Sequence, residues 1–319
     1  IAGTTARFNE REKYILDHYL MSGGRILWLL DGVFLSRDEL RRNAQTPAIK
    51  NETNLDDLLF TYGVRINPAL VQDVQCAPVL LASDNGQYTT VPNYYSILLL
   101  PSNNQPVTKD ISPVKAEFAS PIDILAHSSD VEINVLLSSS MQSHVVPVPE
   151  QITLLSPEIS ISSDYFDKSF LPTAVALHGK FQSAFKNRLI PDSIITDGKT
   201  PLFQSQPTKI VVVSSSDIIR NEVIGAGTQS HILPMGYDRI SDRQYGNRQF
   251  IANVVNWLVN DDEWLSLRAK QQHIRLLNRQ LIYSDRQRYA WINILVPLVF
   301  VCVIVGGYHF YRKRKYEKN

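Results

Sequence analysis

The chain has 319 residues, with 32 Lys and Arg against 31 Asp and Glu, a net charge of +1 and 44% hydrophobic residues. That balance excludes a disordered chain and a basic nucleic-acid surface. The length suffices for one large or two ordinary domains, and the two cysteines, Cys76 and Cys302, are too far apart in character to suggest a disulfide framework.

The opening IAGTT reads as the end of a strand, and an earlier segment with an export signal or a first anchor is expected before it. Phe8 to Met21 places Tyr14, Ile15, Leu16, Tyr19 and Leu20 near helical spacing, with charges on the other face. Asn9 suits the cap of this helix, and Gly23-Gly24 its left-handed stop. RILWLLDGV, from Arg25, is almost continuously apolar, as in a strand covered on both faces. Helix, glycines and buried strand together have the rhythm of a parallel α/β sheet.

Leu55 to Tyr62 predicts a second helix, capped by Asn54 and stopped by Gly63. After Val71 short strand-like runs follow, split by a turn signal at Asn85-Gly86. VEINVLLSSS from Val131, AVALHGKF from Ala174 and KIVVVS from Lys209 predict strands, with a Ser- and Pro-rich loop at 156–172. A helix is expected near Asp217 to Val223, and an amphipathic one over NRQFIANVVNWLVND from Asn247.

Trp264 to Arg288 aligns Leu267, Ile274, Leu277 and Leu281 on one stripe. Arg268, Lys270, Arg275, Arg279, Arg286 and Arg288 stand against Asp285 alone. This reads as a basic stalk helix that lies on anionic headgroups, docks on a partner, or simply joins domain to anchor. From Tyr289 to Tyr311 no Asp, Glu, Lys or Arg occurs. As a helix the run spans roughly 33 Å at about 1.5 Å per residue, matching a hydrocarbon core of about 30 Å.

Tyr289 and Trp291 at one end, and Tyr308, Phe310 and Tyr311 at the other, suit the two membrane interfaces. Arg312, Lys313, Arg314 and Lys315 predict a cytoplasmic C-terminus and a body on the opposite side, against the pull of Arg286 and Arg288. Pro297 deprives the Asn293 carbonyl of its helical donor, either as a harmless kink or as a face for a partner's membrane helices. Gly306 and Gly307 permit close helix approach. The expected organisation is a 1–263 extracytoplasmic domain, a 264–288 stalk, a 289–311 membrane span and a 312–319 cytoplasmic tail.

Parallel sheets bind ligands beyond the carboxyl ends of their strands. Asp31 after ILWLL, and Ser214, Ser216 and Asp217 after KIVVV, therefore form the candidate crevice, with Asn221 pointing the same way. The competing reading of these Ser and Asp residues is helix capping. Nucleotide-binding and hydrolase motifs are absent, and the seven histidines are scattered without metal-ligand spacing. Cys76, in VQCAPVLL, reads as a buried thiol and not as a nucleophile. Gly225-Ala226-Gly227 is a weak candidate for a phosphate loop.

The order and spacing of EREKYILDHYLMSGGRILWLLD, NLDDLLFTYGVRINPALVQD, GKFQSAFKNR, YGNRQFIANVVNWL and LRAKQQHIRLLN, followed by NILVP at Asn293 to Pro297, carry a resemblance. The chain resembles the gliding-motility-associated ABC transporter accessory proteins of the ABC-transport auxiliary domain family. The resemblance implies a membrane-anchored, non-catalytic extracytoplasmic subunit that works with separate permease and ATPase subunits in the inner membrane of Bacteroidetes. It also implies an α/β fold, flavodoxin-like or glutamine-amidotransferase-like, with a mostly parallel sheet and extra strands. No cofactor or metal is implied, no nucleic-acid partner, and a substrate or second envelope protein as the bound partner. The alternatives are a tethered envelope enzyme of amidotransferase-like fold and a purely structural scaffold.

Overall fold

The structure, a computed structural model, describes residues 1–82, 87–125, 130–154, 164–188, 190, 200–225, 230–259 and 286–316. The expected stalk up to residue 285, with Arg275 and Arg279, lies outside the described residues. So do Asn85-Gly86, Ala226-Gly227 and residues 156–163 of the expected loop. The chain divides into two compact units, Ile1–Lys270 and Gln271–Asn319.

In the first unit, residues 1–3 run alongside the first strand: Gly3 N donates to Leu29 O at 2.9 Å, and Ala2 bridges Leu29 in parallel. Helix α1 (Glu10–Met21) starts in a capping box. The Asn9 side chain accepts from Glu12 N, and the Glu12 carboxylate accepts from Asn9 N. Strands β1 (Ile26–Leu29) and β2 (Val33–Leu35), helix α2 (Arg37–Asn43, capped by Ser36), strand β3 (Gln45–Lys50) and helix α3 (Asp56–Tyr62) follow. Asn54 does not cap α3. It takes a left-handed φ of 62° and donates to the Phe8 carbonyl, tying α3 to the chain before α1. Gly63 ends α3 at φ 108°, as expected.

Strands β4 (Val64–Ile66), β5 (Ala69–Asp73), β6 (Cys76–Ala82), β7 (Tyr88–Pro101), β8 (Val114–Glu117), β9 (Ile122–Ile124) and β10 (Val131–Ser138) come next. They are followed by β11 (Ser143–Pro147), β12 (Glu150–Thr153), β13 (Pro172–Gly179) and β14 (Thr208–Val213). Where a helix was expected after β14 there is a single 3-10 turn, Ser216–Ile219, and then four two-residue strands. These are β15 (Val223–Ile224), β16 (His231–Ile232), β17 (Tyr237–Asp238) and β18 (Arg243–Gln244). Val223 and Ile224 pair with Ile232 and His231, a β-branched pairing that ends any helical continuation. Helix α4 (Asn247–Leu258) closes the unit.

The main sheet runs β1-β14-β13-β10-β7-β6, with β8 also paired to β7. The α/β class is as expected, but the direction of pairing is a correction. Among the described residues of this sheet, β1–β14 is the one parallel strand pair, with Ile26 opposite Ile210 and Leu29 opposite Val213. The others are antiparallel. A strand roofed on both faces reads as an apolar run whichever way its neighbour points, so the run could not fix direction.

Both faces are indeed roofed. Ile26, Trp28, Val175, Leu177, Ile210 and Val212 pack with Tyr14 and Leu20 of α1 and Leu58 of α3. The alternate residues Leu29, Ala174, Ala176, Val211 and Val213 pack with Phe250, Val254 and Leu258 of α4. A smaller core of Val33, Leu40, Ala48, Leu70, Tyr95, Phe118, Val146 and Ile152 lies under the sheets β12-β3-β2 and β11-β5.

In the second unit, helix α5 (Arg286–Tyr316) contains Pro297 and carries a segment, Ala290–Tyr316, long and apolar enough to cross a membrane. Asn293 is exposed on it, and open space surrounds the position a Cβ would take at Gly306 and Gly307.

Candidate functional site

Because β1 and β14 are parallel, both chains leave the sheet at the same edge, joined by Leu30 N donating to Val213 O at 3.0 Å. Asp31 and Ser216 meet there. The Asp31 carboxylate accepts from Ser216 N at 2.7 Å and from Ser216 Oγ at 2.5 Å. Ser214 Oγ donates to the carbonyls of Ser120 and Thr173, and Ser215 Oγ donates to the Glu117 carbonyl. Asp31, Ser214 and Ser216 are thus together, but their polar groups fasten the turn to its neighbours.

Asp217 and Asn221 face a separate cleft of about 630 Å³, a volume typical of small-molecule sites. Asn221 Nδ2 donates to the Leu233 carbonyl at 2.8 Å. The remaining walls come from positions that the sequence reading did not single out: Asn93 and Ser96 on β7, Lys115 and Glu117 on β8, and Asp238 and Arg239 around β17. The alternation in Val114-Lys115-Ala116-Glu117, with Val114 and Ala116 fully buried, was the signal that Lys115 and Glu117 share the opposite face.

The wall charges are interlocked. Arg37 of α2 reaches Glu117 at 2.5 Å and Asp217 at 3.0 Å, and Arg220 stands 3.6 Å from Asp217. Lys115 pairs with Asp238 at 2.7 Å, and Arg239 lies 4.0 Å from Glu222. Burial, reinforced by the Glu117 charge, pushes the Asp217 carboxyl up to about 6 in spite of Arg37, Arg220 and Lys115. Burial also pushes Asp238 upward, but the Lys115 and Ser241 hydrogen bonds outweigh it and hold Asp238 below its ordinary range. For Lys115, partial burial is outweighed by the Asp238 hydrogen bond and the nearby carboxylates, and its pKa is raised.

The floor is braced by Asn247, the first residue of α4. Its Oδ1 accepts from Lys115 N, and its Nδ2 donates to the carbonyls of Lys115 and Ile218. Gly246 before it occupies the cap position, and a Cβ there would meet Ser112 O at 2.3 Å, so α4 approaches the chain before β8 closely. Along the β6–β7 pair the register slips between Cys76↔Ile97 and Pro78↔Pro92, a bulge in the stretch of β7 that contains Asn93 and Ser96, both of which line the cleft. Ser96 is 2% exposed, and its hydroxyl has no partner among the described residues.

Burial and the Asp73 charge push the Cys76 thiol up to about 11, so it is protonated at neutral pH and is no activated nucleophile. No cluster of metal-ligating side chains occurs among the described residues.

Residues 1–254 match the family described as an ABC-type uncharacterized transport system. The chain belongs to this family. The match spans the sheet, the roofing helices α1 and α3, the cleft and most of α4. No curated protein matches the chain. The family description associates this fold with ABC-type transport.

Proposed function

We propose that the chain is a membrane-anchored, non-catalytic accessory subunit of an ABC transporter, working beside separate permease and ATPase subunits. The single observation that carries the reading is the family match over residues 1–254, followed in the chain by the apolar helix α5. The locked Asp31–Ser216 pair and the protonated Cys76 thiol support a role in binding over one in catalysis.

The finer assignments rest on the sequence. The basic residues Arg312 to Lys315 favour a cytoplasmic C-terminus, with residues 1–263 on the extracytoplasmic side of an inner membrane and 264–288 as the stalk. The motif order favours the gliding-associated branch found in Bacteroidetes. Asn293, Pro297, Gly306 and Gly307 are the positions through which α5 would pack on the permease, and Arg275 and Arg279 those through which the stalk would meet headgroups or that partner.

Affinity capture of the full-length protein from membranes tests this. The expected result is co-purification of an ATPase-bearing complex that is lost when α5 is replaced by an unrelated membrane helix. Capture of the chain alone, at levels where it is folded, refutes the transporter reading.

A further inference from the structure

Strands β6 and β7 form a ribbon that outruns the rest of the main sheet. Val79 to Ala82 pair with Tyr88 to Val91, and among the described residues no other strand pairs with either stretch. β8 joins β7 only from Ser96 onward, extended by Phe118 N donating to Tyr95 O, and β10 joins it at Leu100 and Pro101. None of residues 78–81 and 87–94 is buried, whereas Ala77 and Tyr95 next to them are. Leu80 is 43% exposed and Tyr88 is 74% exposed. The ribbon therefore projects from the body, with Pro78 and Val79 at its base beside the cleft.

The outer edge of β6 decides what can lie against it. Outside the ladder with β7, the backbone of residues 78–82 makes no hydrogen bond to any described residue. A lone two-stranded ribbon is marginal in water, and unpaired N–H and C=O groups along an edge are a template for another strand. A bilayer cannot serve, because lipid offers those groups no partner.

Charge decides which strand. No Asp, Glu, Lys, Arg or His occurs from Val74 to Ser83. Edges that stay single are blunted by charge, most often lysine, and here Pro78 alone interrupts the edge. An uncharged strand accepts its own copy without like charges meeting. Paired antiparallel about a two-fold axis at Leu80, the copies set Leu80 against Leu80 and Val79 against Leu81, which are aliphatic cross-strand pairs. Each strand enters its own body at the Cys76 end, so the two bodies then lie at opposite ends of the joined ribbons.

We propose that the chain forms a two-fold dimer through β6, pairing antiparallel about Leu80 and joining the two ribbons into one sheet. The proposal goes beyond the transporter reading and stands without it, since it concerns only the folded body.

The test is light scattering coupled to size exclusion, on the full chain in detergent with the detergent mass subtracted. The wild-type chain is expected to be a dimer that dissociates on dilution. Leu80→Lys and Leu80→Glu each place like charges on the axis, and each is expected to weaken the dimer at least about tenfold with an unchanged circular dichroism spectrum. An equimolar mixture of the two variants is expected to restore the dimer, because Lys then faces Glu. The proposal is overturned if the wild-type chain is monomeric, if a folded charge variant dimerises as well as wild type, or if the mixture stays monomeric. If the charge variants do not fold, Leu80→Cys decides in their place. Mild oxidation is expected to link it into a covalent dimer that the wild-type chain, with Cys76 and Cys302 present, does not form, and failure to link overturns the proposal. A monomeric chain that still co-purifies with an ATPase-bearing complex would sink the dimer alone, and a dimer captured without that complex would sink the transporter reading alone.

Discussion

At the scale of single residues, the cleft stores electrostatic cost in one carboxylate. Asp217 has a folded-state pKa raised to about 6, above its unfolded value. Between those two values the folded state binds the extra proton, so stability falls as pH rises through the window and is lowest above it. The full span corresponds to about 3 kcal/mol at most, since each pH unit between the two values is worth about 1.4 kcal/mol. Asp217→Asn is therefore expected to flatten the pH dependence of urea unfolding between about pH 4 and 6 and to cost little at neutral pH. A steeper dependence in the variant would contradict that assignment.

The Lys115–Asp238 pair behaves oppositely, because both partners gain from it. The Asp238 side chain is 3% exposed. Removing Lys115 alone leaves that charge buried and unpaired, at an expected cost of about 3–5 kcal/mol. The double variant Lys115→Ala, Asp238→Ala should recover a large part of that loss, and equal, additive losses would show that the pair does not couple. Neither group stood out in the sequence. Their pairing joins residues 123 positions apart, and no local pattern encodes such a partner.

At the scale of elements, legibility followed locality. Helix α1 was readable with its cap and stop, because Asn9 acts three residues from Glu12 at one end and Gly23 lies two residues past the other. Helix α4 was readable from its period. Phe250, Val254 and Leu258 fall on one stripe and enter the core together. Phe250 is fully buried there, so Phe250→Ala is expected to destabilise the body by about 3–5 kcal/mol. A chemical-melt loss below about 1 kcal/mol would mean that α4 is not a structural roof.

The segment after β14 departs from its local signal for a physical reason. Asp217 to Val223 carries capping residues and two isoleucines, yet the Asp31 carboxylate fixes Ser216 and the β-branched pair at Val223-Ile224 finds strand partners. Asn54 departs for a similar reason, since its amide serves the distant Phe8 carbonyl instead of the helix beside it. Strand direction was equally invisible, because alternating burial on two faces is the same for parallel and antiparallel neighbours.

At the scale of the molecule, α5 has 31 residues, about 46 Å of helix, against about 30 Å of hydrocarbon. In the sequence Arg286 and Arg288 precede the uncharged run 289–311, and Arg312 to Lys315 follow it. Full-length protein is expected to stay with vesicles through an alkaline carbonate wash, and residues 1–259 expressed alone to be released. Extraction of the full-length protein would remove the anchor from the reading.

Strand β7 reaches furthest across the body. Its fourteen residues pair in turn with β6, β8 and β10, so the backbone that carries Asn93 and Ser96 at the cleft continues without a break to Leu100 and Pro101 deep in the sheet. The bulge between Pro92 and Ile97 is the joint through which strain at the rim would reach that interior. Slowed hydrogen exchange at the Leu99 and Leu100 amides would then register a guest that touches neither, giving the interior of the sheet a sense of whether the doorway is occupied.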